Sequence, residues 1–248
     1  MVQATQPAIL LLHGMFGGAD DWRLCAEHLR THWRVIIPEL PVLSLPYSEV
    51  GVHSLVQHVE RVLTEQGVDR AVLVGNSLGG HIGLSVALRQ PDRIAALVLA
   101  GSSGLFEKTQ ERKVPRRPTK EWVHEKIREV FFDEMHVTET LVNEVHETLS
   151  DLRQAMKMIR LAKSAKHENL RDILHQIHCP VLLVWGSNDK ITPPVIAHEF
   201  KQQIPHAELR FIEHCGHAPT IECPREFNRI TEEFLRRHFG YAYAGTPA

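Results

Sequence analysis

Apolar residues follow two rhythms along this chain. Four short runs are apolar without a break: Ala8–Leu12 (A-I-L-L-L), 71–74 (A-V-L-V), 95–100 (A-A-L-V-L-A) and 181–185 (V-L-L-V-W). Unbroken runs of this length, ended by glycine or a turn, predict strands buried on both faces of a parallel sheet. Two weaker segments, 34–38 and Glu208–Ile212, complete a set of six. Between the runs the period lengthens to that of a helix. Trp22, Cys25 and Leu29 fall on one face behind a cap at Asp20. Leu55, Val56, Val59, Val62 and Leu63 fall on another behind Ser54, whose spacing to Gln57 reads as a capping box. Gly67 ends that helix. Pro91 stops the helix that follows residue 77, Thr192-Pro193-Pro194 starts another, and a last one from Pro224 carries Phe227, Ile230 and Phe234.

Strand and helix alternate strictly as far as residue 104, which predicts a parallel α/β sheet with right-handed crossovers. The rhythm then breaks. Residues 105–178 contain no strand-like run, only charged, helix-patterned sequence. Thr119 is placed to cap a helix bearing Trp122, Val123, Ile127, Val130 and Phe131. Thr138 is placed to cap one bearing Leu141, Val142, Val145 and Leu149, and a third segment holds Ala155, Met156, Ile159 and Ala162. The expected organisation is an α/β core of 1–104 and 179–240, a helical lid of 105–178 and a loose tail at 241–248. Met156, Met158 and Ile159 are candidates to line a pocket under that lid.

The chemistry lies at the ends of the runs. Val74 is followed by Gly75-Asn76-Ser77-Leu78-Gly79-Gly80, a strand that turns into a helix through G-x-S-x-G. That turn holds a serine at the tip of a strand, with Gly75 and Gly79 where side chains would collide. The helix beginning at Leu78 aims backbone N–H groups at any anion formed there. A serine hydroxyl needs a base, the base needs an orienting group, and an oxyanion needs donors. Asp189 stands a few residues past the strand 181–185, and His217 lies in the loop after Glu208–Ile212, with His214 as its nearest decoy. His13-Gly14-Met15 follows the first strand, so the Met15 and Leu78 N–H groups are the expected oxyanion donors. The order Ser77, Asp189, His217 is that of serine hydrolases built on a parallel sheet.

Charge narrows the partners rather than the fold. The 28 Lys and Arg against 30 Asp and Glu give a net charge of −2 over 248 residues, which favours neither nucleic acid nor an anionic membrane. Cys25, Cys179, Cys215 and Cys223 are scattered and read as reduced thiols of a cytoplasmic protein. The first apolar run is too short to span a membrane. His175 and His178 share a helical face without a third ligand, so no metal and no cofactor is expected. The basic residues Lys108, Arg112, Lys113, Arg116, Arg117 and Lys120 read as a solvated face.

The motifs L-L-H-G-x-x-G, G-N-S-L-G-G, W-G-x-x-D and G-H-x-P make the chain from Ala8 to about Phe239 resemble the α/β-hydrolase superfamily. The similarity is to the lidded group of carboxylesterases and meta-cleavage-product hydrolases. It implies Ser77 as nucleophile, His217 as base and acid, and Asp189 as its orienter, with His13, Gly14, Gly75 and Gly79 supporting. Only Met1–Pro7 precede the first strand, so the family's N-terminal hairpin is expected to be absent, and the loop after the second strand lacks the family's D-x-x-G-x-G-x-S. Carbon–carbon hydrolases of the group carry a Trp after the catalytic His and a lid Arg for a substrate carboxylate. Here Ala218 follows His217, and the lid stretch reads Leu141-Val142-Asn143-Glu144-Val145. Hydrolysis of a small or medium carboxylic ester through an acyl-enzyme is therefore expected first. Carbon–carbon hydrolysis or lyase chemistry on the same three residues comes second, and a small-molecule receptor third.

Overall fold

Six strands run parallel in one sheet: β1 (Ala8–Leu12), β2 (Val35–Ile36), β3 (Ala71–Asn76), β4 (Ile94–Ala100), β5 (Val181–Gly186) and β6 (Glu208–Ile212), in the order β2-β1-β3-β4-β5-β6. The computed structural model describes residues 6–105, 115 and 117–240. Among these the helices are α1 (Arg23–Leu29), α2 (Val52–Glu65), α3 (Leu78–Arg89), α4 (Lys120–Arg128), α5 (Glu139–Ser150), α6 (Leu152–His167), α7 (Pro194–Gln203), α8 (Pro219–Glu222) and α9 (Pro224–Phe239). The expected strands are all present. The weakest, 34–38, shrinks to two half-buried residues at the sheet edge, and no hairpin precedes β1 among the described residues.

Strand alternation explains why the runs are apolar throughout. Leu10, Leu12, Leu73, Leu97, Leu99 and Leu183 face one layer, formed by α2, α3 and α7. Their neighbours Ile9, Leu11, Val72, Val74, Val98 and Val184 face the other, formed by α1 and α9. A side chain of this kind, taken fully out of water, stabilises the fold by roughly 2 kcal/mol.

Register then sets the functional edge. Leu12 pairs with Gly75, Asn76 with Ala100, Ala100 with Val184, and Gly186 with Ile212. The strands therefore end nearly level, and the residues just beyond them, His13, Ser77, Gly101, Asp189 and His217, share one side of the sheet.

Between β4 and β5 lie α4, α5 and α6. Val123, Ile127, Phe131, Val142, Val145 and Leu149 form a third apolar cluster, joined by Ala218 from the loop after β6. α6 behaves differently, because its Met158 and Leu161 pack with the sheet's own residues. The insertion is pinned where it leaves and rejoins the sheet, the Leu170 N–H donating to the Gly104 carbonyl (2.8 Å). Thr119 and Thr138 cap α4 and α5 as expected.

Two other caps differ. Gly18 N–H is met by Asp21, not by Asp20. α2 starts at Val52, ahead of Ser54, because Ser164 Oγ of α6 accepts the Val52 N–H at 3.0 Å. A distant hydroxyl has taken the capping role that local sequence assigned to Ser54. Of the basic residues, Lys108, Arg112, Lys113 and Arg116 lie outside the described residues, as does the tail 241–248.

Candidate active site

Ser77 joins β3 to α3 with φ +52°, ψ −116°, a region that residues other than glycine rarely occupy. Glycine makes this turn possible. A Cβ on Gly75 would strike the backbone of Gly79, and one on Gly79 would strike the Leu12 carbonyl. Ser77 N–H is held by the Ala100 carbonyl at 2.9 Å. Leu78 opens α3, so its N–H has no carbonyl within its own helix to bond. Gly14 lies against the serine, since a Cβ there would sit 3.6 Å from Ser77 Cβ. The loop that carries Met15 is thus beside the hydroxyl.

His217 and Asp189 meet as expected. His217 Nδ1 donates to Asp189 Oδ2 at 2.9 Å, with both side chains buried. That bond puts the ring proton on Nδ1 and leaves Nε2 as the free acceptor. Asp189 has both oxygens filled. Oδ1 accepts the N–H groups of Ile191 (2.8 Å) and Thr192 (2.9 Å), and the Thr192 hydroxyl lies 2.9 Å from Oδ2. A buried carboxylate needs such donors to offset its desolvation.

Four residues of the site escaped sequence reasoning. Thr192, fully buried, also lies 3.1 Å from the Gly101 carbonyl and 3.2 Å from His217 Nδ1, so it braces the imidazole and the carboxylate together. Gly101, at φ +50°, has no room for a side chain: a Cβ would come within 2.9–3.1 Å of His217 and Asp189. Asn76 donates both amide hydrogens, to the Ala100 carbonyl and the His217 carbonyl, each at 3.0 Å. It ties the serine turn to the histidine loop, and its place directly before Ser77 was the only local signal.

Glu222 is the fourth. It accepts the Gly216 N–H (2.7 Å) on one oxygen and the Phe132 (2.6 Å) and Asp133 (3.3 Å) N–H groups on the other. With His217 N–H donating to the Val130 carbonyl (2.7 Å), it joins the histidine loop to the insertion. His214, the decoy, is exposed and lies 5.4 Å from the Phe132 ring.

His13 is buried and structural in its contacts. Leu40 N–H donates to Nε2 (3.0 Å), so the proton sits on Nδ1, 2.8 Å from the Gly14 carbonyl. Beside it opens a cleft of about 450 Å³, walled by 13, 15–17 and 39–44 on the sheet side and by Glu144, Val145, Thr148 and Met158 from the insertion. Of the three candidate lining residues on α6, Met158 lines the cleft, while Met156 and Ile159 are exposed.

His81, one turn into α3 from Ser77, is fully buried against Gly104, with neither ring nitrogen in a hydrogen bond of normal geometry. Burial pushes its pKa down to about 4, only partly opposed by the Glu168 backbone. Burial likewise raises the thiols of Cys25, to about 12, and Cys179, to about 11. Among the described residues no group of three His, Cys, Asp or Glu is placed to hold a metal ion, and no helix is long and apolar enough to cross a membrane.

Comparison with known proteins places this geometry. Residues 9–230 match the model of a family described as the alpha/beta hydrolase family. A 2-hydroxy-6-oxononadienedioate/2-hydroxy-6-oxononatrienedioate hydrolase of Burkholderia vietnamiensis is 30% identical over 252 residues, covering 93% of this chain and 87% of its own. Among solved structures, an alpha/beta hydrolase enzyme from the metagenome of lagoon sediments at Mar Chica, Morocco, is 31% identical with a TM-score of 0.77, over 95% of this chain and 93% of that one. A serine hydrolase of Cycloclasticus zankles, 25% identical, has a TM-score of 0.81 over 94% and 91%.

Proposed function

The chain belongs to the alpha/beta hydrolase family, and from that premise we propose that it is a serine hydrolase whose acyl-enzyme forms on Ser77. The observation that carries this reading is the buried His217–Asp189 hydrogen bond, set at the level of the strained Ser77 turn. His217 Nε2 takes the Ser77 proton as Oγ attacks a carbonyl carbon. The Met15 and Leu78 N–H groups receive the oxyanion, each donor contributing roughly 3 kcal/mol in the transition state. Collapse expels the leaving group, which takes the proton from His217. Water, deprotonated by the same ring, then releases the acid. Asp189 keeps Nδ1 protonated throughout, and Thr192 holds the pair in register. We take 105–178 as a lid over the cleft and 1–104 with 179–240 as the core.

Two readings of the cleaved bond follow. Carbon–carbon hydrolysis of a vinylogous ketone has the stronger comparative support, because curated relatives at 27–30% identity are named as hydrolases of 2-hydroxy-6-oxo-dienoates. In that chemistry the leaving group is a carbanion delocalised as a dienolate, and the proton held by His217 neutralises it. Ester hydrolysis, placed first from the sequence, becomes the second reading and draws on the superfamily alone. What favours it is the small Ala218 beside His217, packed among lid residues.

A fluorophosphonate probe should label the wild-type protein and not Ser77→Ala. Side-by-side rates on a dienone acid and on p-nitrophenyl butyrate then rank the bonds. Absence of labelling together with tight binding of a small molecule would transfer the chain to the receptor reading.

A further inference from the structure

We propose that the part of the substrate seated in the cleft beside His13 and Met15 is an apolar group that is uncharged or cationic, and that anionic groups are turned away there. This rests on the serine-hydrolase reading above but on neither reading of the bond.

The cleft takes its walls from two regions, and each contributes a carboxylate: Glu39 from the loop after β2 and Glu144 from α5. Both are exposed side chains, free to turn toward a ligand. No Lys or Arg lines the cleft among the described residues. Two cations of α6 lie outside the lining and spend donors on backbone carbonyls, which fixes their place without cancelling their charge. Lys157 Nζ donates to the Leu43 carbonyl at 2.6 Å. Arg160 donates to the Val50 (2.9 Å) and Ser48 (3.0 Å) carbonyls and lies over the Tyr47 ring. His13 is no substitute, because its Nε2 is occupied as an acceptor by Leu40 N–H.

The rest of the lining is apolar. Met15, Leu40, Val42, Val145 and Met158 enclose a volume that suits a small or medium group. An ammonium would meet both carboxylates, and a neutral chain would meet the apolar walls. A carboxylate placed about 5 Å from either glutamate is disfavoured roughly fourfold per contact, even at the dielectric of water.

The test uses p-nitrophenyl esters of equal-length acyl chains ending in trimethylammonium, tert-butyl or carboxylate, with a second set bearing the same ends on the alcohol. The wild-type protein is expected to rank kcat/KM in that order for the set whose variable end enters the cleft. The neutral-to-anion ratio should shrink roughly fourfold, and the cation-to-anion ratio roughly sixteenfold, in Glu39→Gln or Glu144→Gln, and both should approach unity in the double variant. Both should also shrink as salt rises from about 0.01 M to about 1 M. Because a ratio is read, any loss of activity common to all three esters cancels. An anionic chain cleaved as fast as the neutral one in both sets, or a ratio that survives the double variant, overturns the proposal.

If no ester turns over and the fluorophosphonate leaves Ser77 unlabelled, it is the nucleophile reading that fails. The charge preference is then read by calorimetry with the matching amides and the Ser77→Ala protein. Equal binding of all three amides would end the proposal on that route too.

Discussion

The strand ends and the helical insertion face each other across one cleft, but they are built by different means. On the strand side, position comes from register. Ser77, Asp189 and His217 stand just past strands that end level, and close backbone approach at Gly75, Gly79 and Gly101 leaves each loop a single path. On the insertion side, α6 packs among the sheet's own residues, while the rest is held by a few point attachments: Leu170 to Gly104, Val130 to His217, and Glu222 to Phe132. The contrast teaches a division of labour. The sheet side holds Ser77, Asp189 and His217 in fixed places because each is set by its neighbours. The insertion can change its lining residues freely, provided a handful of bonds survive.

Substitutions can press on that contrast, beginning with the strand side. Asp189→Asn should keep the fold, because an amide can still accept from Ile191 and Thr192, while stabilising the wrong imidazole tautomer. A fall in kcat of about ten-thousand-fold is expected, the scale known for the orienting carboxylate of other serine hydrolases. A fall of only a few-fold in steady-state assays would remove Asp189 from the mechanism.

The next effect concerns His81, where strand-side helix and insertion stem touch. Its folded pKa of about 4 lies below that of an exposed imidazole, so the unfolded chain binds the proton first as pH falls. Its contribution is complete above about pH 6.5, declines as pH drops toward 4 and levels off below that, a span worth about 3 kcal/mol. Urea melts across this window should show the decline in the wild type and a flatter profile in His81→Leu. Identical acid profiles would exclude the buried imidazole as the cause.

Glu222→Gln tests the joint between the two regions. An amide cannot accept with its nitrogen, so either Gly216 or Phe132 loses its partner, and roughly tenfold in kcat is expected from the loosened histidine loop. If His217 is what moves, kcat should fall while labelling of Ser77 slows in parallel and KM changes little. Smallest is Ser164→Ala, which takes away the borrowed cap of α2 and should cost about 1 kcal/mol by chemical denaturation, with the rate unchanged.

How much of this the chain discloses in advance follows the same contrast. β1, β3, β4 and β5 were legible because a strand covered on both faces must be apolar at every position, and the residues past their ends inherited their places from that. The convergence of Ser77, His217 and Asp189 on one edge could be anticipated for this reason. Thr192 and Gly101 could not, since their roles exist only once β4 and β5 are paired and three loops converge. Ser54 looked like a cap because Gln57 and an apolar run follow it. Ser164, 112 residues downstream of Val52, took the role through packing that no local window contains. The cleft was equally hidden, because Glu39 and Glu144 become neighbours of one space only when α5 is docked.

The pinning of Leu170 to Gly104 bears on how such a chain could be recombined. A segment whose two stems are tied together can be lifted out and replaced without altering the distance its ends must span. Yet α6 lies inside that tie, with Met158 and Leu161 sunk among the sheet's residues and Ser164 finishing another helix. The natural splice sites for exchanging specificity are therefore not the stems at Gly104 and Leu170. They are Gly104 and the Ser150–Asp151 corner, where α5 ends and the Asp151 side chain restarts the chain as α6. A chimera cut there would import a new cleft wall and leave the sheet's own cover in place.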